Sequence, residues 1–114
     1  MPLPHPLPDP LADLIAQRFR VIGDAMRVRL LCRLHEGGEA SVQELTEALG
    51  ASQQNVSKHL GILHQAGITG RRKDGNHVYY SISDATVLGL CEQVCGGLSR
   101  QAAGLAELLE GSTR

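Results

Sequence analysis

The chain has 114 residues, one domain's worth, and its 42% hydrophobic content excludes full disorder. No apolar run nears the ~20 residues needed to cross a membrane, and 3% aromatics with no Trp argue against a platform that stacks single-stranded bases. The net charge of −1 is unevenly placed: Ala51 to Ser83 holds Lys58, Arg71, Arg72 and Lys73 against Asp74, or +3, on a remainder of −4. A basic segment on a mildly acidic body suits a small protein that uses its charge on one face, for DNA.

All five prolines alternate at Pro2, Pro4, Pro6, Pro8 and Pro10, which predicts a disordered Pro-rich tail over residues 1–8. His5 in that tail is one ligand and makes no metal site alone. These residues lack the basic start and apolar run of a signal peptide, so the expected location is the cytoplasm. Residues 9–110 then read as one domain. Asp9 followed by Pro10 predicts a helix start, and Leu11, Leu14, Ile15, Phe19 and Ile22 recur at helical spacing up to Gly23. Asp24 caps a second helix, with Val28, Leu31, Cys32 and His35 on one side, Leu30 and Leu34 beside them, and Gly37-Gly38 as its stop. Ser41 to Glu44 is a Ser-x-x-Glu capping box for a short third helix closed by Gly50. Ser52 caps a fourth, which Gly67 closes.

The period then changes to two. One strand begins at Ile68; Val78, Tyr80 and Ile82 alternate with His77, Tyr79 and Ser81 in the return strand, across Lys73-Asp74-Gly75-Asn76. A last helix, from Ser83 or Asp84, carries Val87, Leu90, Cys91, Val94, Leu98, Leu105 and Leu109, with Gly96 and Gly97 in its middle as a place for a kink or close contact. The expected fold is mainly α with a small β-hairpin, about five helices and a two-stranded wing. A chain this small buries a modest core, and the apolar stripes of its terminal helices predict a homodimer.

Helix, tight turn, helix and basic hairpin is the order of a winged helix-turn-helix. On a helical wheel Val56, Leu60, Leu63 and His59 turn inward, while Gln54, Ser57, Lys58 and Gly61 turn outward, with Ser52, Gln53 and Asn55 near the helix start. A merely solvated face would mix in Glu, yet no acid stands between Gln53 and Lys73. Amides and Lys read base edges in a major groove. The expected DNA-binding set is Ser52, Gln53, Gln54, Asn55, Ser57, Lys58 and His59, with Arg71, Arg72, Lys73 and His77 on the neighbouring backbone or minor groove.

Ser52-Gln53-Gln54-Asn55-Val56-Ser57-Lys58-His59-Leu60, then Leu63 and Ala66-Gly67-Ile68, resembles the recognition-helix signature of the ArsR/SmtB family of bacterial transcriptional regulators. Arg71-Arg72 to Gly75 and Val78 to Ile82 are similar to its wing. Gly23-Asp24 with Arg27 to Leu31 is similar to the start of its second helix, although Ala25-Met26 stands where Pro-Thr is common. The resemblance spans about residues 11–100. It implies a homodimer joined by first and last helices, a two-fold symmetric double-stranded operator, and repression relieved by metal or thiol chemistry.

The family's Cys-x-Cys before the recognition helix is missing from Ser41 to Gly50. Of its last-helix zinc ligands only Asp84 is matched; Thr86, Gly97 and Arg100 stand at the others. Cys32 matches the second-helix cysteine of its thiol sensors, whereas the partner position falls near Ser99, one turn past Cys95. From the residues themselves, Cys91 and Cys95 lie four apart on one helix, where Cys32 or His35 would complete a soft-metal site. Three cysteines do not make a secreted disulfide framework. Three readings of Cys32, Cys91 and Cys95 stand open: small core residues, a thiol switch, or another metal role. The cofactor is accordingly a thiophilic or transition metal ion, or none.

Other function classes fit less. A winged helix used purely as a protein–protein module needs no acid-free face and no Arg71-Arg72-Lys73 run. A thiol enzyme needs an oriented base beside a cysteine, which no spacing here supplies. A regulator that senses through a partner protein keeps every DNA feature.

Overall fold

The computed structural model describes residues 1–113; the side chain of Leu109, counted in the apolar series above, lies outside the described ones, as do those of residues 111–113. The order is α1 (Asp9–Ile22), α2 (Ala25–Gly37), β1 (Glu39–Ser41), α3 (Val42–Leu49), α4 (Gln53–Gln65), β2 (Thr69–Asp74), β3 (His77–Ile82) and α5 (Thr86–Thr113). The chain forms two compact units, Met1–Asp84 and the segment from Ala85 onward. Residues 1–8 take no regular secondary structure.

In the first unit the helix limits follow local chemistry. The Asp24 carboxylate accepts from the backbone N–H groups of Met26 and Arg27, and Ser41 and Glu44 close a reciprocal capping box. These caps satisfy amides that a helix start leaves without partners. Gly50 ends α3 at φ 63°, a left-handed conformation that a Cβ disfavours. Two sequence expectations shift. Pro8, not Asp9, occupies the cap position of α1, and no side chain caps it, because Asp9 itself has turned helical. The last helix starts at Thr86, beyond Ser83 and Asp84.

The sheet has three strands, ordered β1-β3-β2, rather than two. Glu39, Ala40 and Ser41 pair antiparallel with Ser81, Tyr80 and Tyr79, so the short segment before α3 covers what would be an open edge of β3. On the other side Thr69 to Asp74 pairs with Ile82 to His77, and the hairpin turns through Gly75 (φ 61°) and Asn76. The core gathers Leu30, Leu31 and Leu34 of α2, Leu45 of α3, and Val56, Leu60 and Leu63 of α4 with Ile68, all at most 1% exposed. On α2 this places the buried face on Leu30, Leu31 and Leu34; Val28 is half-buried, while Cys32 and His35, grouped with Val28 and Leu31 on one side by the sequence, point outward.

The second unit is α5, one unbroken helix through Gly96 and Gly97, where the Arg100 guanidinium lies over the glycines one turn back. Val94, Leu98, Leu105 and Leu108 along it are exposed.

Candidate nucleic-acid interface

Helix α4 is built from its buried side outward. Val56, Leu60 and Leu63, at 0% exposed, fix α4 against the core. Its start is set by Ser52, whose Oγ accepts from the Asn55 N–H at 3.1 Å. The opposite face presents Ser52, Gln53, Gln54, Ser57 and Lys58 to solvent, with Asn55 half-buried. Ser52, Gln54, Asn55 and Lys58 line a shallow concavity of about 360 Å³. At Gly61 a Cβ would meet nothing, so the face stays low there.

His59 does not join that face. It is 8% exposed and its Nδ1 lies 3.0 Å from Nη1 of Arg27 and 3.7 Å from Oδ2 of Asp24. Its place is between α4 and the start of α2, as the helical wheel requires, and its inclusion among groove contacts is corrected. Asp24 is raised by burial, but the Arg27 N–H, the positive charge of the Arg27 guanidinium and the Met26 N–H outweigh that and hold its carboxyl below the ordinary carboxylate value, and His59 adds to this only in its protonated form.

The wing cations divide. Arg71 and Lys73 are exposed and, among the described residues, form no ion pair. Arg72 instead donates from Nε and Nη2 to the two carboxylate oxygens of Glu39, each at 2.8 Å. Its guanidinium lies 4.6 Å from the Tyr79 ring centre, and Asp74 stands 3.7 Å away. Hydrogen bonding to Arg72 holds Glu39 below the ordinary carboxylate value, and the same bond raises Arg72. His77 is exposed beside Tyr79, with ring centres 6.2 Å apart. His64 is a satisfied structural histidine: its Nδ1 is 3.0 Å from the Thr69 carbonyl and its ring meets Tyr80 edge-on.

Of the cysteines, Cys32 and Cys95 are exposed and Cys91 is half-buried. Cys32, on α2 in the first unit, is therefore not the core residue that simple packing would make it. Among the described residues no group of three or more His, Cys, Asp or Glu gathers to hold a metal ion. Glu39 and Arg27 are the residues that sequence reasoning missed here. Glu39 sits at a strand too short to show a period, and Arg27 looks like one more exposed cation of α2.

A capped helix seated on a leucine core, with an open amide, hydroxyl and ammonium face beside a cationic hairpin, defines a winged helix-turn-helix DNA-binding protein. A family model, bacterial regulatory protein, arsR family, matches residues 24–68, from the α2 cap to the end of the helix-turn-helix. The chain is 38% identical over 84 residues to the HTH-type transcriptional regulator KmtR of Mycobacterium tuberculosis, covering 74% of this chain and 64% of that protein. It is 36% identical over 99 residues to the arsenic resistance transcriptional regulator ArsR1 of Pseudomonas putida, covering 81% and 77%. The protein belongs to the arsR family. It thus spans just under two thirds of KmtR and more of ArsR1.

Solved structures agree. The antimony-specific transcriptional repressor AntR superposes with a TM-score of 0.76 at 28% identity, over 84% of this chain and 86% of that one. The homodimeric winged helix-turn-helix DNA-binding domain of a possible ArsR-family regulator from Mycobacterium bovis gives 0.68 at 26% identity, over 78% and 82%. No described helix is long and apolar enough to cross a membrane.

Proposed function

We propose that the protein is a cytoplasmic, homodimeric transcriptional repressor, without catalytic activity, that reads a two-fold symmetric operator. The observation that carries this is the open, acid-free face of α4. Gln54, Asn55, Ser57 and Lys58 read base edges in the major groove, with Ser52 and Gln53 at the helix start. Gln and Asn pair bidentately with adenine, and Lys reaches guanine or phosphate. Arg71, Lys73 and His77 hold the backbone beside the wing. The dimer is formed by α1 and α5, which expose Leu14 and Phe19, and Val94, Leu98, Leu105 and Leu108. Each large apolar side chain left in water forgoes about 1.5–3 kcal/mol of burial.

Exposed thiols at Cys32 and Cys95 suit a thiophilic effector, as arsenic and antimony are for the arsenic resistance regulator ArsR1 and the antimony-specific repressor AntR. When bound, a soft ion would cross-link thiolates. Cys91 and Cys95, four residues apart on α5, are the pair that would share it, by giving up protons. Since no three donors gather among the described residues of one chain, a second reading has the signal arrive through a partner protein.

The test is a gel shift with the sequence upstream of the protein's own gene, after selection of the preferred duplex from a random library. The selected duplex should carry two half-sites about 10 base pairs apart, or a multiple. Gln54→Ala should lower discrimination at an A·T pair by about 1–3 kcal/mol. A selected sequence without a dyad, or a Gln54→Ala variant with unchanged preference, would refute the assignment.

A further inference from the structure

The corner between α1 and α2 is only Gly23-Asp24, and it is tied by one side chain. Because Asp24 caps the N–H groups of Met26 and Arg27 (3.1 and 3.3 Å), the first turn of α2 is fixed and Arg27 points back at the corner. Its Nε donates to the Val21 carbonyl at 2.5 Å and its Nη2 reaches the Arg20 carbonyl at 3.5 Å. Both carbonyls belong to the last turn of α1, where no amide of the helix remains to meet them. The guanidinium's remaining arm, Nη1, meets Nδ1 of His59 on the reading helix at 3.0 Å. A guanidinium only donates, so Nδ1 must accept, and the ring must be neutral with its proton on Nε2. Among the described residues no ionisable side chain other than Asp24 and Arg27 forms an ion pair or hydrogen bond with this ring.

We propose that His59 is a positioning residue for DNA reading: as a neutral acceptor it lets Arg27 fix the rotation of α4 against the α1–α2 corner. His59 is 8% exposed, next in sequence to Lys58 and one helical turn from Asn55. A roll of α4 about its axis therefore moves both of those residues. Adding a proton at Nδ1 removes the acceptor, sets a positive ring against Arg27 and turns the ring toward Asp24 Oδ2, now 3.7 Å away. The geometry that serves reading is thus the geometry of the neutral ring.

The proposal rests on the DNA-binding reading, so its test has one arm with DNA and one without. With the duplex selected from a random library, affinity is measured by fluorescence anisotropy from pH 8 to pH 5.5. Wild type should lose on the order of tenfold, the scale of one hydrogen bond to a charged group. His59→Asn places an oxygen acceptor where Nδ1 stood and does not titrate; it should match wild type at pH 8 and stay level on acidification. His59→Leu, checked for folding by circular dichroism, should bind weakly at every pH. Acidification otherwise adds positive charge and favours DNA, so the expected sign is opposite to a bulk effect. A His59→Asn variant that falls with pH like wild type, or a folded His59→Leu variant that binds like wild type at pH 8, overturns the proposal. Without DNA, ring nitrogen NMR at pH 8 should show an unprotonated Nδ1 and a protonated Nε2. The reverse tautomer overturns the proposal whatever the DNA arm gives; failure of every variant and wild type to select any duplex, with the expected tautomer present, overturns the DNA reading and with it the positioning role.

Discussion

The Glu39–Arg72 pair changes what the wing brings to DNA. From composition alone Arg71, Arg72 and Lys73 count equally, and Arg72→Ala would remove one phosphate contact. In the structure the Arg72 guanidinium is engaged by both oxygens of Glu39 at 2.8 Å, stacked near Tyr79 and flanked by Asp74, so its charge is matched within the sheet. Both groups shift toward their charged forms, so the pair persists across neutral pH. The number of counterions displaced from DNA should then follow Arg71 and Lys73. Arg72→Ala should leave the slope of log affinity against log salt unchanged. Glu39→Gln frees one cation while keeping an acceptor for the strand, and should steepen the slope by about 0.9. Over a fourfold change in salt that is an extra ~3.5-fold loss of affinity. In an Arg72→Ala background Glu39→Gln should leave the slope where it was. Fluorescence anisotropy with one duplex at several salt concentrations reads all three variants. A slope that flattens by about one unit in Arg72→Ala and does not move in Glu39→Gln would refute the reasoning, because Arg72 would then be leaving Glu39 for phosphate in the complex.

Three further outcomes follow from packing and charge. Leu60 is 0% exposed at the seat of the reading helix, so Leu60→Ala should cost about 2–5 kcal/mol of stability, read by urea unfolding; a loss under 1 kcal/mol would mean that α4 is seated elsewhere. Leu14→Asp with Leu98→Asp should turn the expected dimer into a monomer by light scattering at micromolar protein, whereas a wild type already monomeric there would remove the case for these faces. The Asp24 and Glu39 carboxyls are held below their ordinary values, so their stabilisation is complete above the unfolded values near 4 and is lost as pH falls through the lower folded ones. Asp24→Asn keeps a capping oxygen without the charge and should therefore flatten the acid limb of thermal stability; an unchanged limb would remove Asp24 from the acid response.

What the sequence made legible and what it hid divide along a physical line. Caps and turns are local chemistry: Asp24, Ser41 with Glu44, Ser52, Gly50 and Gly75 act on neighbours within four residues, and each sits where its pattern placed it. Burial on α4 was likewise readable, since thirteen residues at one period leave little freedom over which side holds Val56, Leu60 and Leu63. Periodicity weakens where apolar residues adjoin. Along Leu30, Leu31 and Cys32 the wheel admits two neighbouring faces, and packing chose the one centred on Leu30, Leu31 and Leu34, leaving Cys32 outside. It fails for β1, because three residues cannot display alternation, and only the pairing with Ser81, Tyr80 and Tyr79 reveals a strand.

The contacts that assign roles were beyond reach for a different reason. Glu39 meets Arg72 from 33 residues away, and Arg27 meets His59 from 32. Patterns tell which side of an element a residue occupies, not which charge answers it from another element. Those two contacts match the charge of Arg72 within the sheet and set His59 against Arg27. Counting Arg72 and His59 with the DNA contacts followed from their position in chain order, one on the wing and one on the reading helix. Their partners, Glu39 and Arg27, support the proposal that both act in the supporting frame. The face that remains, Gln53, Gln54, Ser57 and Lys58 with Asn55 at its edge, is smaller and carries less charge than composition suggested. On the proposed reading, base-edge amides then supply a larger share of the discrimination, and Gln54→Ala is expected to be a sharper probe of reading than any wing substitution.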